Sequence, residues 1–189
     1  LGVSPVETML GFMAKKGESF SGARQFPLHG ARPDLKLFNL SNVVSTQIPQ
    51  AVGAALASGK PALAVFGDAA AEEDYVQAAI AYAASKGAPV LFICEDNDLS
   101  ILTPVSTRRS WSVVDVSEAY GMMALDIGDD PWLIAHHVSE RLKELPALLN
   151  IRTCRQLWHA GTGTDDESEW NRFDLIKAQL HLLKLQSPA

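Results

Sequence analysis

The sequence predicts an α/β fold: an open, mostly parallel sheet with helices on both faces. Two continuously apolar runs, Pro61 to Phe66 and Pro89 to Cys94, have the character of parallel strands buried on both sides. Between them, Glu72 to Lys86 places Tyr75, Val76, Ala79, Ile80 and Ala83 at helical spacing. That stretch starts with acidic residues and ends at Lys86-Gly87, which suits the two ends of a helix dipole. The result is one strand-helix-strand unit, and strands alternating with helices imply an open parallel sheet.

The remaining elements follow in order. Val6 to Lys15 and Thr46 to Ala57 read as helices upstream of the first strand. Downstream, Met122 to Ile127 reads as a strand, Pro131 to Leu145 as a helix and Ala147 to Arg152 as a strand. Ser168 to Leu185 reads as a terminal helix, while Gly17 to His29, Asp96 to Ser112 and Arg155 to Glu167 read as loops.

With 189 residues, 47% hydrophobic and 20% charged, the chain can bury one good core, so residues 1–189 are expected to form a single domain. No apolar stretch approaches the ~20 residues of a membrane-spanning helix, and no membrane partner is expected. A net charge of −6 argues against a nucleic-acid partner. Cys94 and Cys154 lack metal-ligand spacing, and so few thiols suit a reducing compartment such as the cytoplasm.

Open parallel sheets bind ligands beyond the carboxyl ends of their strands. The first strand runs into Gly67-Asp68-Ala69-Ala70-Ala71, whose small residues let backbone N–H groups approach a phosphate. The second runs into Glu95-Asp96-Asn97-Asp98. If the two strands are neighbours, Asp68 and Asn97 face each other and offer the hard oxygens that magnesium prefers. Between Pro61 and Asp98 stand seven acids (Asp68, Glu72, Glu73, Asp74, Glu95, Asp96 and Asp98) and one base, Lys86. A bare phosphate would be repelled there, so a divalent cation is needed for one to bind. Glu72, Glu73 and Asp74 are more simply read as complements to a helix dipole.

The run GDAAAEEDYVQAAIAYAASKGAPVLFICEDNDLSILTP resembles the thiamin-diphosphate motif, which begins with Gly-Asp-Gly and closes on an Asn. It is most similar to the version found in the α subunit of 2-oxo acid dehydrogenase decarboxylating components, of the pyruvate and branched-chain type. Ser21 to His29, Ser45 to Ala57, Ala119 to Met122 and Arg155 to Asp166 resemble further segments of that subunit. The third motif residue here is Ala69, where a left-handed backbone would cost about 1–2 kcal/mol for the Cβ. The likeness begins where the family is already under way, so the N-terminal and C-terminal parts of the full subunit, including a Tyr-Arg clamp for the diphosphate, are expected to lie outside this sequence.

The resemblance implies a role for each matching position. Asp68, Asn97 and the Leu99 carbonyl would hold Mg2+. Gly67, Ala69 and Ala70 would meet the diphosphate of thiamin diphosphate. Asn42 and Val44 would contact the aminopyrimidine, with Ile48 packed nearby. His29 and His159 would be catalytic, near the reacting carbon, where an imidazole titrating near neutrality can exchange protons. Arg155 would brace the loop over the diphosphate. The resemblance also implies a β subunit that supplies the activating glutamate in an α2β2 assembly, a lipoyl-bearing acyltransferase and a 2-oxo acid substrate. The compartment would be the cytoplasm, or the mitochondrial matrix of a eukaryote.

Plainer roles suit other residues. His136, His137 and His181 fall on predicted helices, and Trp111, Trp132, Trp158 and Trp170 suit cores or interfaces better than cofactors. Thr162 and Thr164 suit either a phosphate contact or a linker. Two alternatives stand beside the enzyme: a non-catalytic relative that binds a partner, and an unrelated magnesium-dependent phosphate binder. Against the latter, no G-x-G-x-x-G or Walker A run follows a predicted strand.

Overall fold

The computed structural model describes residues 2–22, 24–25, 29–39, 41–155, 157, 159 and 171–183. Thr162, Thr164, Trp158 and Trp170 lie outside the described residues.

Helix α1 (Pro5–Phe12) begins where Ser4 and Glu7 cap each other's backbone N–H groups, with Pro5 pre-set for the first turn. Helix α2 (Gln47–Ser58) ends at Gly59, whose φ of +64° is the left-handed cap. Strand β1 (Ala62–Gly67) follows, and helix α3 (Asp74–Lys86) carries the chain to strand β2 (Val90–Asp96). The predicted helix start at Glu72 shifts to Asp74, because a 3-10 turn over Ala70–Glu72 intervenes and Glu73 is extended.

The stretch Asp96 to Ser112, expected to be a loop, contains short regular elements. Strands β3 (Leu99–Ser100) and β4 (Thr103–Pro104) pair as a tight hairpin, and helix α4 (Val105–Arg108) follows. Ser112 then caps helix α5 (Val113–Ala119) by accepting from the Val114 and Asp115 amides. Strand β5 (Met123–Gly128), helix α6 (Pro131–Arg141), strand β6 (Ala147–Arg152) and helix α7 (Asn171–Leu182) complete the order. Asp130 caps α6 through the Trp132 and Leu133 amides, with Pro131 in the first turn. The helix stops four residues short of the predicted Leu145, where Lys143 and Glu144 donate instead to the Glu140 and Arg141 carbonyls three residues back.

The main sheet is parallel with strand order β1-β2-β6-β5. Alternation along the strands gives it two cores. On one face, Ala64, Phe66, Phe92, Cys94 and Leu148 meet α2, α3 and α5 through residues such as Ile48, Val76, Ile80 and Val113. On the other, Leu91, Ile93, Leu149 and Ile151 meet Ile134 and Val138 of α6. Helices therefore lie on both faces, as predicted. Strand β1 departs from the expected double burial: Leu63 and Val65 are 59% and 38% exposed. It is the edge strand, and the core on the α6 face takes in residues of β2, β6 and β5 but none of β1. Gln47 caps part of that edge by donating from Nε2 to the Val65 carbonyl at 3.0 Å. Among the described residues, no helix is long and apolar enough to cross a membrane.

Candidate functional site at the carboxyl ends of the strands

Parallel pairing places Gly67 opposite Glu95, so Asp68 and Asn97 both emerge at the same end of the sheet. The register provides the adjacency that the sequence could only assume. Asp68 is 2% exposed, and Arg108 donates to it from Nη2 to Oδ2 at 2.5 Å. Burial pushes the Asp68 carboxyl above the usual carboxylate range, the Arg108 guanidinium opposes that shift, and the Asp96 carboxylate adds to it. Arg108 also pairs with Glu72 and donates from Nε to the Thr103 carbonyl.

Beyond β1 the backbone turns at Ala69, whose φ of −68° and ψ of −34° are right-handed helical. The Cβ of Ala69 therefore carries no left-handed strain. The 3-10 turn closes through the Glu72 and Glu73 amides, which donate to the carbonyls of Ala69 and Ala70. Both alanines stand at the head of that turn, with Ala70 buried. Gly67 is not required by sterics, since an added Cβ would lie 4.0 Å from the Glu95 carbonyl.

Beyond β2 the loop is shaped by its own side chains. Asn97 Oδ1 accepts from the Leu99 amide at 3.1 Å, and Asp98 takes a left-handed φ of +63°. Leu99 pairs with Pro104, which has no N–H to offer the Leu99 carbonyl. Asp96 is buried and holds this turn from below: Oδ1 accepts from the Asp98 amide and Oδ2 from Asn150 Nδ2, both at 3.0 Å. Asn150 donates equally to Asp126 at 2.8 Å, and Arg152 reaches both carboxylates. Arg155, half-buried, donates to the Ile101 carbonyl at 2.7 Å and so ties the exit of β6 to the β3–β4 hairpin.

The other expected site residues belong to other segments. Asn42 and Val44 are exposed in the turn before α2, and the Tyr75 hydroxyl of α3 donates to the Val44 carbonyl. The adjoining Ser45 has a φ of +63°, is buried and leaves Oγ without a hydrogen-bond partner among the described residues. Ile48 is fully buried in the core, beneath this turn. His29 is half-buried and His159 exposed, each on an irregular segment. Gly30 anchors the segment of His29: an added Cβ would stand 2.4 Å from the Phe20 carbonyl oxygen.

Residues 1–180 match the dehydrogenase E1 component family. The chain belongs to that family. Among curated members, it is 35% identical to 2-oxoisovalerate dehydrogenase subunit alpha 2 of Arabidopsis thaliana, over 79% of this chain and 34% of that one. It is 29% identical to the corresponding alpha subunit of Bacillus subtilis, over 94% of this chain and 57% of the other. This E1 component chain thus spans roughly a third to a little over half of the relatives it matches. Its fold is shared with transketolase from Campylobacter jejuni, at a TM-score of 0.62 and 20% identity, over 72% of this chain and 24% of that one.

The sequence pointed to the acids and to Arg155 but not to Arg108 and Arg109. Arg108 and Arg109 come from beyond the strand-helix-strand unit and reach Glu72, Arg108 as its donor and Arg109 with Nε 3.3 Å away. Arg109 also stacks on Trp111, its guanidinium carbon 4.4 Å from the ring centroid. The available signal was the unbalanced acid count itself, which called for cations from elsewhere in the chain. The Asp96–Asn150–Asp126 network left no such signal, because each residue falls on a different strand.

Proposed function

We propose that this chain is the diphosphate- and magnesium-holding α-type subunit of a thiamin-diphosphate-dependent 2-oxo acid dehydrogenase. Its site would be completed by a β subunit. The observation that carries this reading is the buried Asp68 carboxylate beside the Asn97 turn at the strand ends. The position already takes a cation, the guanidinium of Arg108, so its chemistry suits a metal. Asn97 and the Leu99 carbonyl add neutral oxygens, the donor set that magnesium uses alongside phosphate and water.

In this reading Asp68, Asn97 and Leu99 hold Mg2+, and the Gly67–Ala70 backbone faces the diphosphate. Asn42 and Val44 meet the aminopyrimidine, and the unpartnered Ser45 Oγ beside them is a polar group in want of a ligand. When bound, thiamin diphosphate supplies the nucleophilic carbon and electron sink for decarboxylating a 2-oxo acid. The chain's own work is to fix that cofactor, exclude water and present His29 and His159 for proton exchange. Arg155 holds the hairpin that carries Leu99 against the exit of β6. A lipoyl-bearing acyltransferase is the expected acceptor, in the cytoplasm of a bacterium or the mitochondrial matrix of a eukaryote.

Calorimetric titration of thiamin diphosphate into the full subunit with its β subunit tests this. Binding should require Mg2+ and vanish in Asp68→Ala. Binding that is indifferent to Mg2+ and to that substitution contradicts the reading. Tight binding without turnover of any 2-oxo acid favours a non-catalytic relative.

A further inference from the structure

The ion pair between Arg108 and Asp68 has a consequence for metal binding. Asp68 is 2% exposed, and the Arg108 side chain is only 12% exposed. The guanidinium is held from three sides: by Asp68 Oδ2 at 2.5 Å, by Glu72, and by the Thr103 carbonyl at 3.2 Å. A carboxylate so buried requires a counter-charge to stay ionised. Arg108 provides it.

We propose that Arg108 is a built-in cation occupying the metal's place on Asp68, so that a divalent metal binds there only by displacing its guanidinium. The inference rests on the reading of Asp68 as a metal ligand. A magnesium ion bonds carboxylate oxygen at about 2.0–2.1 Å and demands near-octahedral surroundings. A guanidinium nitrogen on the same carboxylate would crowd that shell and repel the ion. Displacement need not strand Arg108, because Glu72 remains its partner through a different nitrogen. Arg109 cannot take over the same role without leaving Trp111, on which it is stacked, and its side chain is 4% exposed.

The pair thus sets a threshold for the metal. Apparent affinity falls by the fraction of molecules whose site is free, so a guanidinium in place nine times in ten weakens the metal about tenfold. Mn2+ titration followed by electron paramagnetic resonance, on the full subunit assembled with its β subunit and without thiamin diphosphate, reads this directly. Arg108→Met removes the competing charge and adds no oxygen ligand. It should bind Mn2+ about tenfold more tightly than wild type. Arg108→Lys keeps a competing cation and should stay near wild type, while Asp68→Asn should lose the site.

Equal or weaker Mn2+ binding by Arg108→Met, with wild type still binding Mn2+ in the presence of thiamin diphosphate, overturns this inference alone. No Mn2+ binding by any form, with or without thiamin diphosphate, overturns the metal-site reading and this inference together. Should Arg108→Met fail to fold, a crystal structure of the wild-type assembly with Mn2+ decides. Arg108 parted from Asp68 supports displacement, and an intact 2.5 Å contact beside bound Mn2+ contradicts it.

Discussion

Asn150 Nδ2 donates to Asp96 Oδ2 at 3.0 Å, and the same amide nitrogen donates to Asp126 Oδ1 at 2.8 Å. One neutral side chain on β6 thereby separates two carboxylates from the strands on either side of it. Because Asp96 Oδ1 accepts from the Asp98 amide, the bridge also sets the turn that carries Asn97.

Asn150→Ala should therefore destabilise the fold by about 1–3 kcal/mol, the usual cost of leaving buried polar groups unpaired. Asn150→Asp should be worse near neutral pH, where three carboxylates would meet, and should recover as pH falls and one of them takes a proton. Urea denaturation at several pH values checks both. Arg152→Ala, which removes a 56%-exposed partner of the same carboxylates, should cost less than about 1 kcal/mol.

The pH dependence of Asp68 has a definite sign. Its folded-state pKa is raised, chiefly by burial, so the fold favours the protonated form. The resulting penalty is absent below the unfolded carboxylate range, grows as pH rises through it, and is complete above the folded value. Metal-free Asp68→Asn should accordingly melt at a higher temperature than wild type near neutral pH, with the gap closing as pH falls into the carboxylate range. Magnesium with thiamin diphosphate should reverse the order by stabilising only the wild type. Scanning calorimetry on both proteins across pH gives the answer, and a wild type that melts higher without ligand contradicts it.

Gly30 adopts a φ of +134°, and a Cβ there would press on the Phe20 carbonyl at 2.4 Å. Gly30→Ala should lose of order 1–3 kcal/mol or shift the adjoining segment. Hydrogen exchange should rise at Phe20 and His29 while β2 and β6 stay protected. Uniform loss of protection across the sheet would count against this local account.

The two thiols should differ in reactivity. Cys94 is fully buried in β2, and burial with nearby carboxylates pushes its thiol far up, whereas Cys154 is half-buried beyond β6. Ellman's reagent should titrate Cys154 in the native protein and Cys94 only after denaturant is added. Early reaction of Cys94 would mean that the core on the α3 side opens readily.

Where local pattern and burial agreed, the fold was legible in the sequence. Ala147–Arg152 is a strand with the predicted bounds because β6 is central and covered on both faces. The pattern of β1 misled, since its run of apolar residues looks equally like a central strand, and only the strand order reveals an edge. Asp68 and Asn97 were legible as a pair because a parallel strand-helix-strand unit fixes where both strands end. Arg108 was not, because it lies 40 positions from Asp68 in a segment of two-residue strands and a four-residue helix without periodicity.

The Asp68–Asn97 strand ends are proposed to hold a metal and a diphosphate. Anomalous scattering from Mn2+, in crystals of the full subunit with its β subunit and thiamin diphosphate, tests it most directly. A single peak is expected at about 2.0–2.4 Å from a carboxylate oxygen of Asp68 and from Asn97 Oδ1, with diphosphate against Ala69 and Ala70. Mn2+ bound elsewhere, or a diphosphate bound away from those strand ends, would contradict it.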